Sequence, residues 1–554
     1  MLLGIDVGGT FTDAVIIDGG TIVSSAKRRT TKENLMNGIT DALGAVMRGA
    51  DPAQIEQVTL STTVVTNTIV EHKEQPVDLY VVAGPGRNVD DIFPVRPVYL
   101  KGYTDHRGIV VERTDVEGIH QLANMVQAKS GTDLAAVSAK FGVRNPKEEI
   151  DVAQALADTY HTISTGSALS GNLNFPRRTI SAYFNSAVAS VFKEFKNAVY
   201  HALDTFHITA PVYILKADGG SLPIDTVESI PVETVFTGPA ATVLGLEALR
   251  STKDAHTVAL DIGGTTTDIS LWKQGKPLMT KEGVSIREYP SAVRSFAVTS
   301  VGIGGESAVR YEDGKLMVGP ERIGPSVALG GTIPTLGDAL IVLGNAHYGD
   351  EQKAYDAIAQ IDTTIDANTM AQRIVDTAVR IVQQGIDKVV AKENKRPIYV
   401  VADIVHPDPF VPAQLVIVGG TAASLGPIIG DQLGLPVHIP ADAAVANAIG
   451  AGVANHTMAI TVHVDTKRRT MVVPELGIQD KSSSLRSADA VAKVAYGLLR
   501  EAAQEQGLVP QGTMPAIETI SVEDFPVVDG WQSMERIITV KVQLKAGVSS
   551  YVES

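Results

Sequence analysis

Cysteine is missing from all 554 residues. Its absence excludes disulfide staples, thiolate-bound zinc, iron–sulfur clusters and a thiol nucleophile together. Any nucleophile must be oxygen or nitrogen. Basic residues are in deficit too, with 47 Lys and Arg against 62 Asp and Glu for a formal charge of −15. Coating nucleic acid takes a concentrated basic face, so no nucleic-acid partner is expected. Long apolar runs are also lacking. Asp6 breaks the apolar start Met1–Ile5 too early for a secretory core, and no run reaches membrane-spanning length. The expectation is no membrane partner and a cytoplasmic location. The 12 histidines show neither His-x-His nor His-Glu-x-x-His spacing, which speaks against a dedicated catalytic zinc.

Aromatic residues are scarce at 5%, whereas glycines number 50. That balance favours many tight strand-to-helix turns, and hence an α/β protein over a β-sandwich. The length implies two to four domains. An internal repeat says where two of them begin. Gly4-Ile5-Asp6-Val7-Gly8-Gly9-Thr10-Phe11-Thr12-Asp13 returns as Leu260-Asp261-Ile262-Gly263-Gly264-Thr265-Thr266-Thr267-Asp268. Each copy launches a β-type run, Ala14–Ile17 or Ile269–Trp272, and reads as strand, glycine hairpin, strand.

Helical spacing follows the first copy at Leu35, Ile39, Ala42, Leu43 and Val46, and predicts another helix over Arg178–Phe195. A Pro/Gly/Asp-rich loop is expected over Gly84–Gly108, and such lengths of irregular chain usually serve a function. After the second copy come a helix over Met370–Lys392, a proline break at His406-Pro407-Asp408-Pro409, the strand Leu415–Val418 ending in Gly419-Gly420-Thr421, and a helix of small residues over Ala443–Ala454. The tail beyond Thr457 reads as a small α+β appendage.

Paired glycines let backbone amides approach anionic oxygens with no Cβ in the way. Gly8, Gly9, Gly263 and Gly264 are therefore candidate phosphate ligands, with the hydroxyls of Thr10, Thr12, Thr265 and Thr266 as further donors. Asp6 and Asp261, at strand ends, suit a hydrated Mg²⁺, which takes few protein carboxylates. Gly419, Gly420 and Thr421 offer a flat strand end for adenosine. Neither copy is a Walker loop or a dinucleotide fingerprint. Two phosphate loops followed by an adenosine loop give the order of the actin-like ATPase fold, so ATP and Mg²⁺ are the expected cofactors. Asp13 and Asp268 are either general bases or hydrogen-bond partners of their own hairpins. Asp338 reads as a helix N-cap, Lys216 as a surface lysine, and Lys27-Arg28-Arg29 and Lys467-Arg468-Arg469 as solvated charge.

The two repeats, together with Thr62-Thr63-Val64-Val65-Thr66-Asn67-Thr68, Val235-Phe236-Thr237-Gly238-Pro239-Ala240, Gly302-Ile303-Gly304-Gly305 and Gly419-Gly420, make the chain resemble the hydantoinase and 5-oxoprolinase family, in its HyuA-type subunit. The resemblance runs over about the first 455 residues. It implies two duplicated ribonuclease H-like lobes, residues 1–60 and 61–240 forming the first and 241–456 the second, with an α+β domain over 457–554. It implies ATP-driven opening of a cyclic amide substrate, a second hydantoinase-type subunit as partner, and an oligomer. It assigns Asp6 and Asp261 to the metal and Thr63, Thr66 and Asn67 to the substrate side; read from the residues themselves, Asp6, Asp13, Asp261 and Asp268 are the catalytic candidates, and Glu306, in a Gly-rich turn, is either a substrate-side group or a solvated loop residue. Leu60-Ser61 stands where members commonly carry His-Gly, Glu306 replaces a usual third glycine, and the C-terminal region is shorter than is typical. A nucleotide-driven clamp or reactivating chaperone and a small-molecule kinase are the competing functions.

Overall fold

Both faces of the first hairpin are apolar, which is the pattern of strands covered on two sides. Leu3, Ile5, Val7 and Ala14–Ile17 are all buried. In the computed structural model, residues 1–30, 35–86, 90–251, 255–280, 282–396, 405, 407–482, 484–527 and 535–553 are described. The strands Leu2–Val7 and Phe11–Asp18 pair antiparallel with Asp6 opposite Asp13. They lie in a six-stranded sheet ordered Ser221–Pro223, Val212–Leu215, Gln57–Thr62, Leu2–Val7, Phe11–Asp18, Thr21–Arg29. The second hairpin repeats the arrangement. Thr257–Ile262 pairs with Thr267–Lys273, placing Asp261 opposite Asp268, within a second six-stranded sheet.

The likeness extends past the hairpins. In each lobe the first hairpin strand is flanked on its other side by a parallel strand, Gln57–Thr62 or Gln414–Val418. Each of these strands is preceded by an amphipathic helix, Leu35–Val46 or Ala367–Asn394. The longer helix starts where Asp366 accepts a hydrogen bond from Thr369 N at 3.0 Å and keeps Lys392 in its last turn, so both ends suit the helix dipole. Ile374, Ala378, Val382 and Val389 face inward as expected. The fold is thus a two-lobed α/β duplication.

A four-stranded parallel sheet, Thr162–Thr165, Leu134–Ala139, Asp78–Val82 and Val98–Tyr99, is inserted in the first lobe. Residues 457–553 carry a five-stranded antiparallel sheet and the helix Ala488–Glu505. The apolar interior of this sheet is continuous with that of the first lobe. The end of the chain returns to the lobes, with Val552 N bonded to Ala248 O and Glu553 N to Gly20 O, both at 2.9 Å.

Some expectations change in detail. The helix expected over Arg178–Phe195 is two helices, Phe175–Ala187 and Ala189–Thr205. The chain turns at Val188 (φ −108°, ψ 1°), and the new direction buries both apolar faces. The Gly84–Gly108 segment contains the short strands Val98–Tyr99 and Tyr103–Thr104. Thr335, not Asp338, caps its helix. Asp338 is the third residue of a capping box, and its buried carboxylate also accepts from Val327 N at 3.0 Å and Ala328 N at 2.9 Å. Of the proline break, Pro407–Pro409 is irregular, and His406 lies outside the described residues.

The small-residue helix, Ala446–Gly452 after a 3-10 turn at Ala443–Val445, explains how the lobes are joined. It crosses Thr237–Ala248 so closely that a Cβ on Gly450 would overlap Ala241 O and one on Gly245 would overlap Ala446 O. A Gly450→Val protein should lose about 3 kcal/mol or more, since no nearby side chain can yield. Gly497→Ala, on an open part of a helix with no neighbour within 4 Å, should gain about 0.5–1 kcal/mol. Urea midpoints measure both.

Candidate functional site

The two hairpin turns fold alike because each glycine pair closes the same bond. Gly8 N donates to Phe11 O and Gly263 N to Thr266 O, each at 3.0 Å. The turns face one another across a cleft of about 410 Å³. Asp6, Gly8, Gly9, Thr10, Asp13, Thr63 and Asn67 line it from the first lobe. Asp261, Gly263, Gly264, Thr265, Thr266, Asp268, Gly419 and Gly420 line it from the second. Gly419 has φ +97°, and a Cβ there would overlap Asp261 Oδ1, so the strand end must be glycine.

The crossing helices tie the two metal-site candidates together. Asn447 Nδ2 lies 3.4 Å from Asp6 Oδ2 and 3.3 Å from Asp261 Oδ2. Thr242 Oγ1 donates to Asp261 Oδ2 at 2.6 Å and lies 2.8 Å from Asn447 Oδ1. Ser61 Oγ donates to Asp6 Oδ1 at 2.6 Å. The serine that departs from the common His-Gly thus holds the Asp6 carboxylate. Burial raises the Asp6 carboxyl above its ordinary range; Ser61, Lys27 and Asn447 oppose the rise, and Asp261 adds to it. Thr242→Val would leave Asp261 without its hydroxyl donor and should weaken nucleotide binding about tenfold, read by calorimetric titration.

Asp13 and Asp268 differ although they occupy equivalent registers. Burial pushes Asp13 up to about 7, against the pull of Lys27, with Asp6 and Asp261 repelling the charged form. Lys27 Nζ donates to Asp13 Oδ2 at 2.5 Å, while the buried Asp13 Oδ1 has no partner among the described residues. Burial and the nearby Asp261 raise Asp268 to about 6, and Ser300 Oγ donates to its Oδ1. Asp13 is a cleft-lining carboxylate with one buried acceptor atom left without a partner among the described residues.

Several candidates are occupied with structure. Thr12 is buried, with its hydroxyl 3.0 Å from Thr30 Oγ1, and does not line the cleft. Thr66 Oγ1 accepts from Phe236 N at 2.8 Å, holding the left-handed Phe236 (φ 56°) at a helix start. Thr421 Oγ1 lies 3.3 Å from Gly263 O and steadies the second turn from behind. Thr63 and Asn67 do face the cleft, joined by a 3.1 Å bond from Asn67 Nδ2 to Thr63 Oγ1. Glu306 does not line the cleft directly. Its Oε2 accepts from Arg322 Nε at 2.5 Å, and its Oε1 accepts from Arg29 Nη2 of the other lobe at 3.4 Å.

Lys27 is therefore paired with Asp13 and not solvated charge, whereas Arg29 is exposed and reaches Glu306 only at 3.4 Å. Sequence reasoning missed Lys27, Thr242, Asn447 and Arg322. Only the small-residue context of the crossing helices offered a signal for Thr242 and Asn447. Lys216 is buried beside Asp218, at 3.3 Å, and is not a surface lysine. Among the described residues no cluster of three His, Cys, Asp or Glu side chains forms a protein-only metal cage, and no helix is long and apolar enough to cross a membrane.

Residues 2–160 match the model of the hydantoinase/oxoprolinase N-terminal region, and 178–460 match that of hydantoinase/oxoprolinase. Caprolactamase subunit alpha of Pseudomonas jessenii is 26% identical over 62% of this chain and 54% of its own. Acetophenone carboxylase gamma subunit of Aromatoleum aromaticum is 25% identical over 86% of this chain and 70% of its own. The 5-oxoprolinase 1 of Arabidopsis thaliana is 25% identical over 49% of this chain, which spans only 24% of that protein. Among solved structures, a chain of ATP-dependent acetone carboxylase superposes with a TM-score of 0.71 at 16% identity, over 99% of this chain and 87% of that one. ATP-dependent caprolactamase from Pseudomonas jessenii gives 0.69 at 20%, over 98% and 87%. These likenesses carry the same two-lobed fold.

Proposed function

The chain belongs to the hydantoinase/oxoprolinase family, and from that premise we propose that it spends ATP to phosphorylate the carbonyl oxygen of a cyclic amide, a hydantoin, lactam or imide, and so opens the ring. The observation that carries this reading is the convergence of two matched Asp, Gly-Gly, Thr and Asp sets on one cleft. Amides of Gly8, Gly9, Gly263 and Gly264 and hydroxyls of Thr10, Thr265 and Thr266 surround the polyphosphate, and Gly419 and Gly420 bed the adenosine. Stabilisation of a transferring phosphoryl group is mainly a matter of position and charge.

Asp6 and Asp261 fit Mg²⁺: a buried carboxylate and a half-buried one share one bridging amide, and burial already disfavours charge on Asp6. An ion that prefers one or two carboxylates plus water and phosphate needs no larger protein cage. Bound there, it would neutralise phosphate charge. Asp13, which lines the cleft, takes the proton from an incoming water. Thr63 and Asn67 orient the ring at the open side of Gly9.

The amide oxygen attacks the γ-phosphorus and the bond to ADP breaks. Water adds to the activated carbon, and the ring nitrogen leaves with a proton. A second water at that carbon expels phosphate carrying the former carbonyl oxygen. A partner subunit is part of the proposal, because relatives are named as subunits alpha and gamma. The carboxylase relatives favour a second reading, in which a ketone carbonyl is the acceptor.

ATP turnover measured against a panel of hydantoins, lactams, imides and simple ketones tests the proposal. Stimulation by a ring amide, with ring-opened product, is expected. A stable phosphorylated product would mark a kinase, and stimulation by a protein partner alone would mark a clamp.

A further inference from the structure

A second polar cavity, of about 450 Å³, lies away from the nucleotide cleft and shares no lining residue with it. It sits where the edge strands of the first lobe, Val212–Leu215 and Ser221–Pro223, meet the C-terminal sheet. Six charged side chains line it: Lys216, Asp218, Glu233, Arg294, Glu475 and Lys541. Three are cationic and three anionic, yet they are not used up on one another.

Four of the six are satisfied. Lys216 and Asp218 pair at 3.3 Å, and the Asp218 carboxyl is held below its ordinary range against the cost of burial. Glu475 accepts from Thr461 N at 3.1 Å, Thr461 Oγ1 at 2.8 Å and Gly171 N at 3.0 Å. Arg294 donates to Gln543. Two remain. Glu233 has no hydrogen bond to its carboxylate among the described residues, and burial pushes it up to about 7. Lys541 Nζ reaches only Asn172 Oδ1, at 3.4 Å, and burial lowers its ammonium. Lys216 acts on Glu233 more strongly than Lys541 does, and Glu475 acts on Lys541 more strongly than Glu233 does, yet among the described residues neither Glu233 nor Lys541 forms an ion pair within 4.0 Å. A cation and an anion held in one cavity without meeting are costly unless something spans the gap.

We propose that this cavity binds a small zwitterion, an amino acid whose carboxylate meets Lys541 and whose ammonium meets Glu233. A ligand with both charges completes both groups at once, whereas a singly charged ligand leaves one of these half-buried groups without a counter-charge. An apolar ligand completes neither. The inference draws nothing from the nucleotide cleft.

Thermal unfolding and calorimetry of the full chain without nucleotide test it, with glycine, 4-aminobutyrate and 6-aminohexanoate as zwitterions and hexanoate and hexylamine as single-charge controls. At least one zwitterion should raise Tm in a saturable way and bind at least tenfold more tightly than either control. Glu233→Gln and Lys541→Met should each weaken that binding about tenfold or more. Equal binding of hexanoate, unchanged affinity in folded variants, or no saturable binding of any zwitterion to the wild-type chain at millimolar concentration would each overturn the assignment. The controls act on the wild-type chain, so the test survives a variant that fails to fold. The readout is independent of ATP turnover, so its failure and that of the amide-opening proposal are separable.

Discussion

Replacing Asp261 with Asn is expected to lower ATP turnover by about a hundredfold or more while the fold persists. Asp261 holds the centre of the polar network, receiving Thr242 at 2.6 Å and Asn447 at 3.3 Å. An amide of the same shape keeps the volume and part of the hydrogen bonding, but it removes the charge that a divalent cation needs. Asp6→Asn should behave alike, because the two carboxylates share Asn447. Circular dichroism and a urea midpoint close to wild type would separate lost chemistry from lost structure. Wild-type turnover in both variants would remove the metal site from this cleft.

The second large effect is expected at Asp13. A base must be deprotonated to work, so turnover should climb as pH rises through about 7, the position to which burial lifts this carboxyl. Asp13→Asn should abolish that limb and lower the plateau about 10²–10⁴-fold. Lys27→Met removes the ammonium that holds the value down and should move the limb to higher pH. The sign for stability runs the other way. The folded carboxyl binds its proton more tightly than the unfolded chain, whose reference is 3.8. Its contribution is therefore fully present below that reference and fades as pH rises through about 7. Asp13→Asn should flatten the fall in stability between pH 3.8 and about 7. A limb that persists in the Asn protein would point to Asp268, whose carboxyl is lifted to about 6.

The hairpins, their duplication and the carboxylates at their strand ends were legible because they are local. Strand, glycine pair and strand lie within a few consecutive residues, and the repeat needed no tertiary knowledge to see. The crossing of Thr237–Ala248 with Ala446–Gly452 was legible only as a run of small residues. What that crossing delivers, Thr242 and Asn447 between two aspartates, depends on residues far apart in sequence. Lys27 read as one of three adjacent charges, and only the pairing of Thr21–Arg29 with Phe11–Asp18 sets it opposite Asp13. Thr12 and Thr66 show the converse error. Thr12, beside the first loop, looks like a phosphate ligand, but its hydroxyl meets Thr30; Thr66 looks like a substrate-side group by resemblance, but its hydroxyl accepts from Phe236 N.

The same physics accounts for Lys216 and Asp338. In sequence each is one charged residue at the edge of an element, where solvent exposure is the ordinary outcome. The fold covers Lys216 with the C-terminal sheet and surrounds Asp338 with backbone donors. Burial of such groups is set by which surfaces meet, and neither periodicity nor local propensity carries that information.

Transfer of the carbonyl oxygen is the most direct test of phosphoryl transfer to a ring amide. A cyclic amide that stimulates turnover, labelled with ¹⁸O at its carbonyl and opened by the protein in unlabelled water with ATP, should yield inorganic phosphate carrying the ¹⁸O. Ring opening that leaves all the label in the carboxylate product, with unlabelled phosphate, would contradict the account.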